Sequence, residues 1–151
     1  MKRVLKSPSF NAVCIILFST FYSLMFMTHT ANTEFKLLLR YEGSSAVWKM
    51  WSNFLIAGYQ IYMVWLLIAV TIFVAVLLLI RHRSYDEYHT NILTYCLVVA
   101  AVLTLFAIAI FYWVILSEPI WIAGKFMLFI MIHWTTVVFA NLVYILICRW
   151  R

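Results

Sequence analysis

Glycine and proline are nearly missing: the 151 residues contain three of the first and two of the second. From Tyr59 to Glu118 there is neither. Glycine weakens helices through backbone entropy and proline through its lost N–H, so their scarcity leaves long helices unbroken. Charge is also sparse, at 11% of residues, where a soluble domain carries roughly 25%. With 67% hydrophobic residues, the chain has too little polar surface to cover a water-soluble core.

Cysteine is limited to Cys14, Cys96 and Cys148. None forms a C-x-x-C pair and none lies between His29 and Asn53, which excludes a disulfide framework and the paired thiols of a disulfide-exchange enzyme. All three read as small buried hydrophobes. No P-loop, nucleophile elbow or H-E-x-x-H motif occurs, and no pair of aspartates lies within an apolar run. The chain therefore reads as non-enzymatic.

What the chain has is apolar length. A helix that crosses a bilayer needs about 20 apolar residues, because the hydrocarbon core is roughly 30 Å thick and each residue rises about 1.5 Å. Four windows qualify, at residues 10–28, 54–80, 92–116 and 126–147. Lipid offers the backbone no hydrogen bonds, and the runs are too long and too uniformly apolar for barrel strands. The expected fold is an all-α membrane protein, a four-helix transmembrane bundle forming one domain over residues 1–151. Short links at residues 81–91 and 117–125 make spans two, three and four antiparallel neighbours. The basic start followed by an apolar run resembles a signal peptide, but the run is long and aromatic with no A-x-A site, so it reads as an uncleaved span.

The arrangement of cations sets orientation. Lys2, Arg3, Lys6, Arg81, Arg83, Arg149 and Arg151 fall on one side, and Lys36, Arg40, Lys49 and Lys125 on the other. Both termini are expected to be cytoplasmic, in a plasma or bacterial inner membrane. These cations flank spans one by one instead of forming a broad basic face, so nucleic acid is not expected as a partner. The expected partners are the lipid bilayer and either another membrane protein or further copies of the chain.

The loop at 29–53 is then extracytoplasmic and long enough to carry structure of its own. Thr33 to Glu42 predicts a short amphipathic helix capped at Thr33 and stopped by Gly43, with Phe35, Leu38 and Leu39 on one face, lying on the membrane surface. Trp48, Trp51, Trp121 and Lys125 are expected as interface anchors, with the Lys125 stem reaching up to the headgroups and Glu118 helping to neutralise it. On the cytoplasmic side, Ser84-x-x-Glu87 forms a capping box and places the turn near Arg83 and Ser84. Ser117 is expected to cap span four, with Pro119 in its first turn.

Few polar residues fall inside the spans. Gln60, His133, Asn141, Tyr22, Tyr62 and Thr136 define an expected intramembrane polar layer, with a Gln60 to His133 hydrogen bond at its centre. Such a layer either fixes helix register or, in an oligomeric channel or small transporter, lines a path. Cys96, Ala100, Thr104 and Ala107 recur at helical spacing and form an expected packing seam. Two cofactor arrangements are disfavoured. His29 and His133 differ in depth, which argues against a bis-histidine haem. His82, Asp86 and His89 share a face only if no turn intervenes, so a metal there is not expected.

Overall fold

The structure, a computed structural model, describes residues 7–80 and 86–149. All regular structure among them is helical. In chain order the helices are α1 (Pro8–Ala31), α2 (Thr33–Leu38), α3 (Ala46–Ile56), α4 (Gln60–Ile80), α5 (Glu87–Ser117) and α6 (Ile122–Arg149). Four of them, α1, α4, α5 and α6, are long and apolar enough to cross a membrane. The result is compatible with a transmembrane helical bundle.

The boundaries differ from the sequence reading in ways that matter for function. The apolar run from Phe54 is not one helix: α3 ends at Ile56, and α4 begins at Gln60. Gly58 makes the break, with φ at +79°, a left-handed conformation that residues with a Cβ adopt at a cost. Gln60 is thus the first residue of α4, not a position several residues deep. The short helix α2 begins with Thr33 itself and ends at Leu38, well before Gly43, so neither the Thr33 cap nor the Gly43 stop holds. At the start of α5 the cap is Asp86, whose carboxylate accepts the His89 N–H at 2.9 Å. The expected turn at Arg83 and Ser84 lies outside the described residues. Helix α5 runs through Ser117, whose hydroxyl donates back to the Val114 carbonyl, and α6 starts only at Ile122. Ser117 therefore finishes a helix instead of capping the next one, and Pro119 lies in the link.

Packing follows a different order from the chain. Helix α1 lies along α4, α6 packs on α4 and more lightly on α1, and α5 packs chiefly on α6. The expectation that spans two and three are packed neighbours fails, because α6 takes the place beside α4. Helices α5 and α6 run in opposite directions, since Ile110 shares a wall with Leu128 and Val99 shares one with Phe139.

Two apolar cores result. The first joins Phe26 of α1, Leu39 of the loop, Leu55 of α3, Val64 and Leu67 of α4, and Met127 and Trp134 of α6. The second joins Ala12 and Ile15 to Val74, Leu78, Leu93 and Tyr144 near the opposite end. The 29–53 segment therefore folds back as a cap on the first core, with Leu39 at 1% exposure. Of the expected α2 face, Phe35 packs against that core, while Leu38 stays exposed.

Candidate functional site

The loop end of the bundle carries the one deeply buried cation among the described residues. Lys125 is in the first turn of α6, and its side chain is 1% exposed. It does not reach the surface of the protein. Its ammonium donates to the Glu118 carbonyl and lies 3.4 Å from Glu118 Oε2. The Trp48 ring from α3 covers it, with Nζ 5.4 Å from the ring centroid, in cation–π geometry. A buried ammonium is tolerable only when paired and hydrogen-bonded, and here Glu118, seven residues earlier, meets both conditions.

Glu118 is shared. The Tyr41 hydroxyl donates to Oε1 at 2.8 Å. This bond, with Lys125 and a further bond from Trp48, holds the Glu118 carboxyl below the usual carboxylate range. The same bond pushes the Tyr41 phenol up. Tyr41 is itself positioned from α3, where Ser52 Oγ accepts its backbone N–H at 2.9 Å and donates to the Leu39 carbonyl at 2.7 Å.

Trp121 completes the cluster in a strained conformation. Its φ is +63°, in the left-handed region, which for a residue with a Cβ costs about 1–2 kcal/mol. The ring lies against Tyr41 and Trp48, at centroid distances of 5.3 and 6.1 Å. It also lies over Gly124, where a Cβ would come within 2.2 Å of the indole. Trp51 closes the other side by donating to the Gly124 carbonyl at 2.9 Å. Of the expected interface anchors, Trp48 thus meets Trp121 and Lys125, while Trp51 bonds the backbone beside them.

Deeper in the bundle, the expected polar layer divides into separate groups. His133 does not meet Gln60. It is about eleven residues, or roughly 16 Å, inside α6, whereas Gln60 opens α4 at the loop end. The partner of His133 is Tyr22, whose hydroxyl lies 2.9 Å from Nδ1. Phe18 packs edge-on to the imidazole at 5.5 Å, and Phe129 stacks on it at 6.3 Å. Gln60 is 1% exposed, and neither polar atom of its side chain has a hydrogen-bond partner. Asn141 pairs with Asn11 at 3.4 Å near the opposite end. Tyr62 points outward at 72% exposure, and Thr136 bonds the Ile132 carbonyl of its own helix.

One central group is absent from the sequence reading. Ser19 Oγ and Thr71 Oγ1 are 3.0 Å apart, and Trp134 Nε1 donates to Ser19 Oγ at 3.1 Å. All three residues are buried, so this knot ties α1, α4 and α6 near the middle of each helix. Its signal was depth: each residue falls near the middle of its span. The Tyr41 and Glu118 pair carries no comparable signal, because a fold-back of the loop must precede it.

Cys96, Ala100, Thr104 and Ala107 all turn toward α6. Cys14 is exposed on α1, contrary to its reading as a buried hydrophobe. His29 bonds the Met25 carbonyl and packs edge-on to Phe35, a distance along α1 of about 10 Å from Tyr22 and its partner His133. His89 pairs with Asp86, while His82 lies outside the described residues.

Compared with known proteins, the chain matches no family model, no curated protein and no solved structure.

Proposed function

We propose that this chain is a small, non-enzymatic, multi-pass membrane protein that acts through helix packing, as an accessory subunit whose α5 lies against a helix of another integral membrane protein. The supporting observation is the poor enclosure of α5. Of its 31 residues only Leu93 and Ala100 are buried, and it leans on α6 while its outer face carries Val98, Val102, Phe106 and Trp113. A groove of about 480 Å³ beside it, bounded by Val99, Leu103, Phe139 and Val143, has the shape to take side chains of a neighbouring helix. Small residues at the α5–α6 seam already allow one close approach, and packing of this kind drives helix association in lipid.

In this reading both termini are cytoplasmic, and the cap formed by α2 and α3 faces the opposite side, as the distribution of cations favours. A photo-crosslinking residue at Val102 or Phe106, in cells, is expected to trap one defined protein. The same probe at Ile72 or Val76 of α4, also exposed, is expected to trap lipid. Lipid adducts from both helices would refute the proposal, and adducts to the chain itself would make the assembly a homo-oligomer.

A second reading, an oligomeric channel or small transporter, is favoured by one observation: His133 borders a cleft. It requires flux into liposomes that His133→Leu abolishes while leaving assembly intact.

A further inference from the structure

The cleft at His133 continues to one end of the bundle. A cavity of about 390 Å³, bounded by His133, Thr104, Ala101 and Val137, shares Leu97 and Val137 with a second of about 570 Å³. The second is bordered by Asn11 and Cys14 of α1, Thr90 and Thr94 of α5, and Asn141 of α6. Together they trace a passage from the first turn of α5 to mid-span, lying between α1 and α5 over α6 in its outer part and between α5 and α6 in its inner part.

Polar side chains from three helices line that passage. Asn141, Val137 and His133 are spaced by four on α6, and Thr90, Thr94, Leu97, Ala101 and Thr104 follow three-or-four spacing on α5. The outward face of α5 carries the exposed Asn91 and Tyr95 in its first turns and is apolar beyond them, at Val98, Val102 and Phe106, exposed at 53–65%. Past that level the passage still carries His133, and an imidazole is costly against hydrocarbon.

Hydrogen-bond capacity points the same way. Asn11 uses its amide N–H on Asn141 Oδ1, and Asn141 uses its own on the Val137 carbonyl. Asn11 Oδ1 is left over, as is the second ring nitrogen of His133, whose Nδ1 is engaged by Tyr22. Half-buried polar atoms of this kind are satisfied by water where protein provides no partner. Asp86, four residues before Thr90 on the same stripe and paired with His89, places a carboxylate at the mouth.

We infer that this passage is a water-filled half-channel, open at the end where α5 begins and closed at His133, so that the imidazole exchanges protons with one side of the membrane alone. Facing His133 are Tyr22 and Phe18 of α1, Phe129 of α6, and Thr104 of α5 across the cleft; no charged side chain among the described residues acts on it. Beyond His133, Phe129 stacks both on the imidazole and on Phe111 of α5 and closes the groove. This inference does not depend on what packs against α5.

Thiol accessibility tests it, since Cys14 already borders the passage. The protein is reconstituted in liposomes of defined orientation with Cys96 and Cys148 replaced by Ser. A charged, membrane-impermeant methanethiosulfonate is then applied to each side. Cys14, and Leu97→Cys and Thr104→Cys made singly with Cys14→Ser, are expected to react at least tenfold faster than Val102→Cys and Phe106→Cys, and only from the side where α5 begins. Rates equal to those outward controls would show that acyl chains fill the passage and would overturn the inference. Reaction of Thr104→Cys from the loop side would overturn the closed end. Cys14 needs no substitution at its own position, so a folding defect in one variant does not remove the test.

Discussion

Glu118 holds the loop end through Lys125 and Tyr41, and the Glu118–Tyr41 hydrogen bond makes that end pH-sensitive at both limits. The Glu118 carboxyl is held low in the fold, so its contribution is complete above the usual carboxylate range and is lost as pH falls through the depressed value. The Tyr41 phenol is pushed up, so its contribution is complete below the usual phenol range and is lost as pH rises through the raised value. Tryptophan emission from Trp48 and Trp121 is expected to stay constant between these limits and to shift outside them. Glu118→Gln is expected to abolish the acid limb, and an unchanged acid limb would contradict the pairing. Gly124→Ala sets two effects against each other. In an open helix Ala is better than Gly by about 1 kcal/mol. Here the new Cβ meets the Trp121 ring at 2.2 Å, and such overpacking costs about 1–3 kcal/mol. The substitution is expected to destabilise the fold and displace the indole, read by denaturation and by a red shift. Little of this was legible beforehand. Lys125 interrupts an apolar run, which marked it as notable, but headgroup contact was the cheapest fate visible for it. Only the fold-back of Tyr41 and Trp48 provides a cheaper one.

At the scale of helices, the number of spans was readable, while their ends and partners were not. Length and apolar content identify α1, α4, α5 and α6 directly, because lipid permits few alternatives. The break at Gly58 was hidden because Phe54 to Ala57 are as compatible with the preceding helix as with the following one. Misplacing it moved Gln60 inward and produced a hydrogen bond to His133 that does not form. Pairing was hidden for a related reason: a short link brings two helix ends together without requiring the helices to pack along their length. What locks α1, α4 and α6 is the Ser19, Thr71 and Trp134 knot. Ser19→Ala removes two interhelical hydrogen bonds, each worth on average about 0.6 kcal/mol in a membrane protein, so a loss of roughly 1 kcal/mol is expected. Trp134→Ala also empties a fully buried site and is expected to cost about 3–5 kcal/mol, while Trp134→Phe should cost far less. Unfolding in mixed micelles reads all three. Equal losses for Phe and Ala would mean that the indole N–H, and not the ring, does the locking.

For the whole molecule, the uneven packing of the spans is the main feature. Helices α1, α4 and α6 enclose the buried cores with the cap above them, while α5 stands at the side with most of its surface turned outward. A partner helix there would explain the exposure without disturbing the rest of the fold. Replacing Val102 and Phe106 together by Ala is therefore expected to dissolve the proposed assembly and leave the protomer folded, with thermal stability changed by less than a core substitution would cause. The most direct measurement is the mass of the protein released from its own membrane into mild detergent, taken by native mass spectrometry beside that double variant. The wild type is expected as an assembly of fixed composition heavier than one protomer, and the variant as the folded protomer alone. A wild type that emerges only as single protomers would contradict the account.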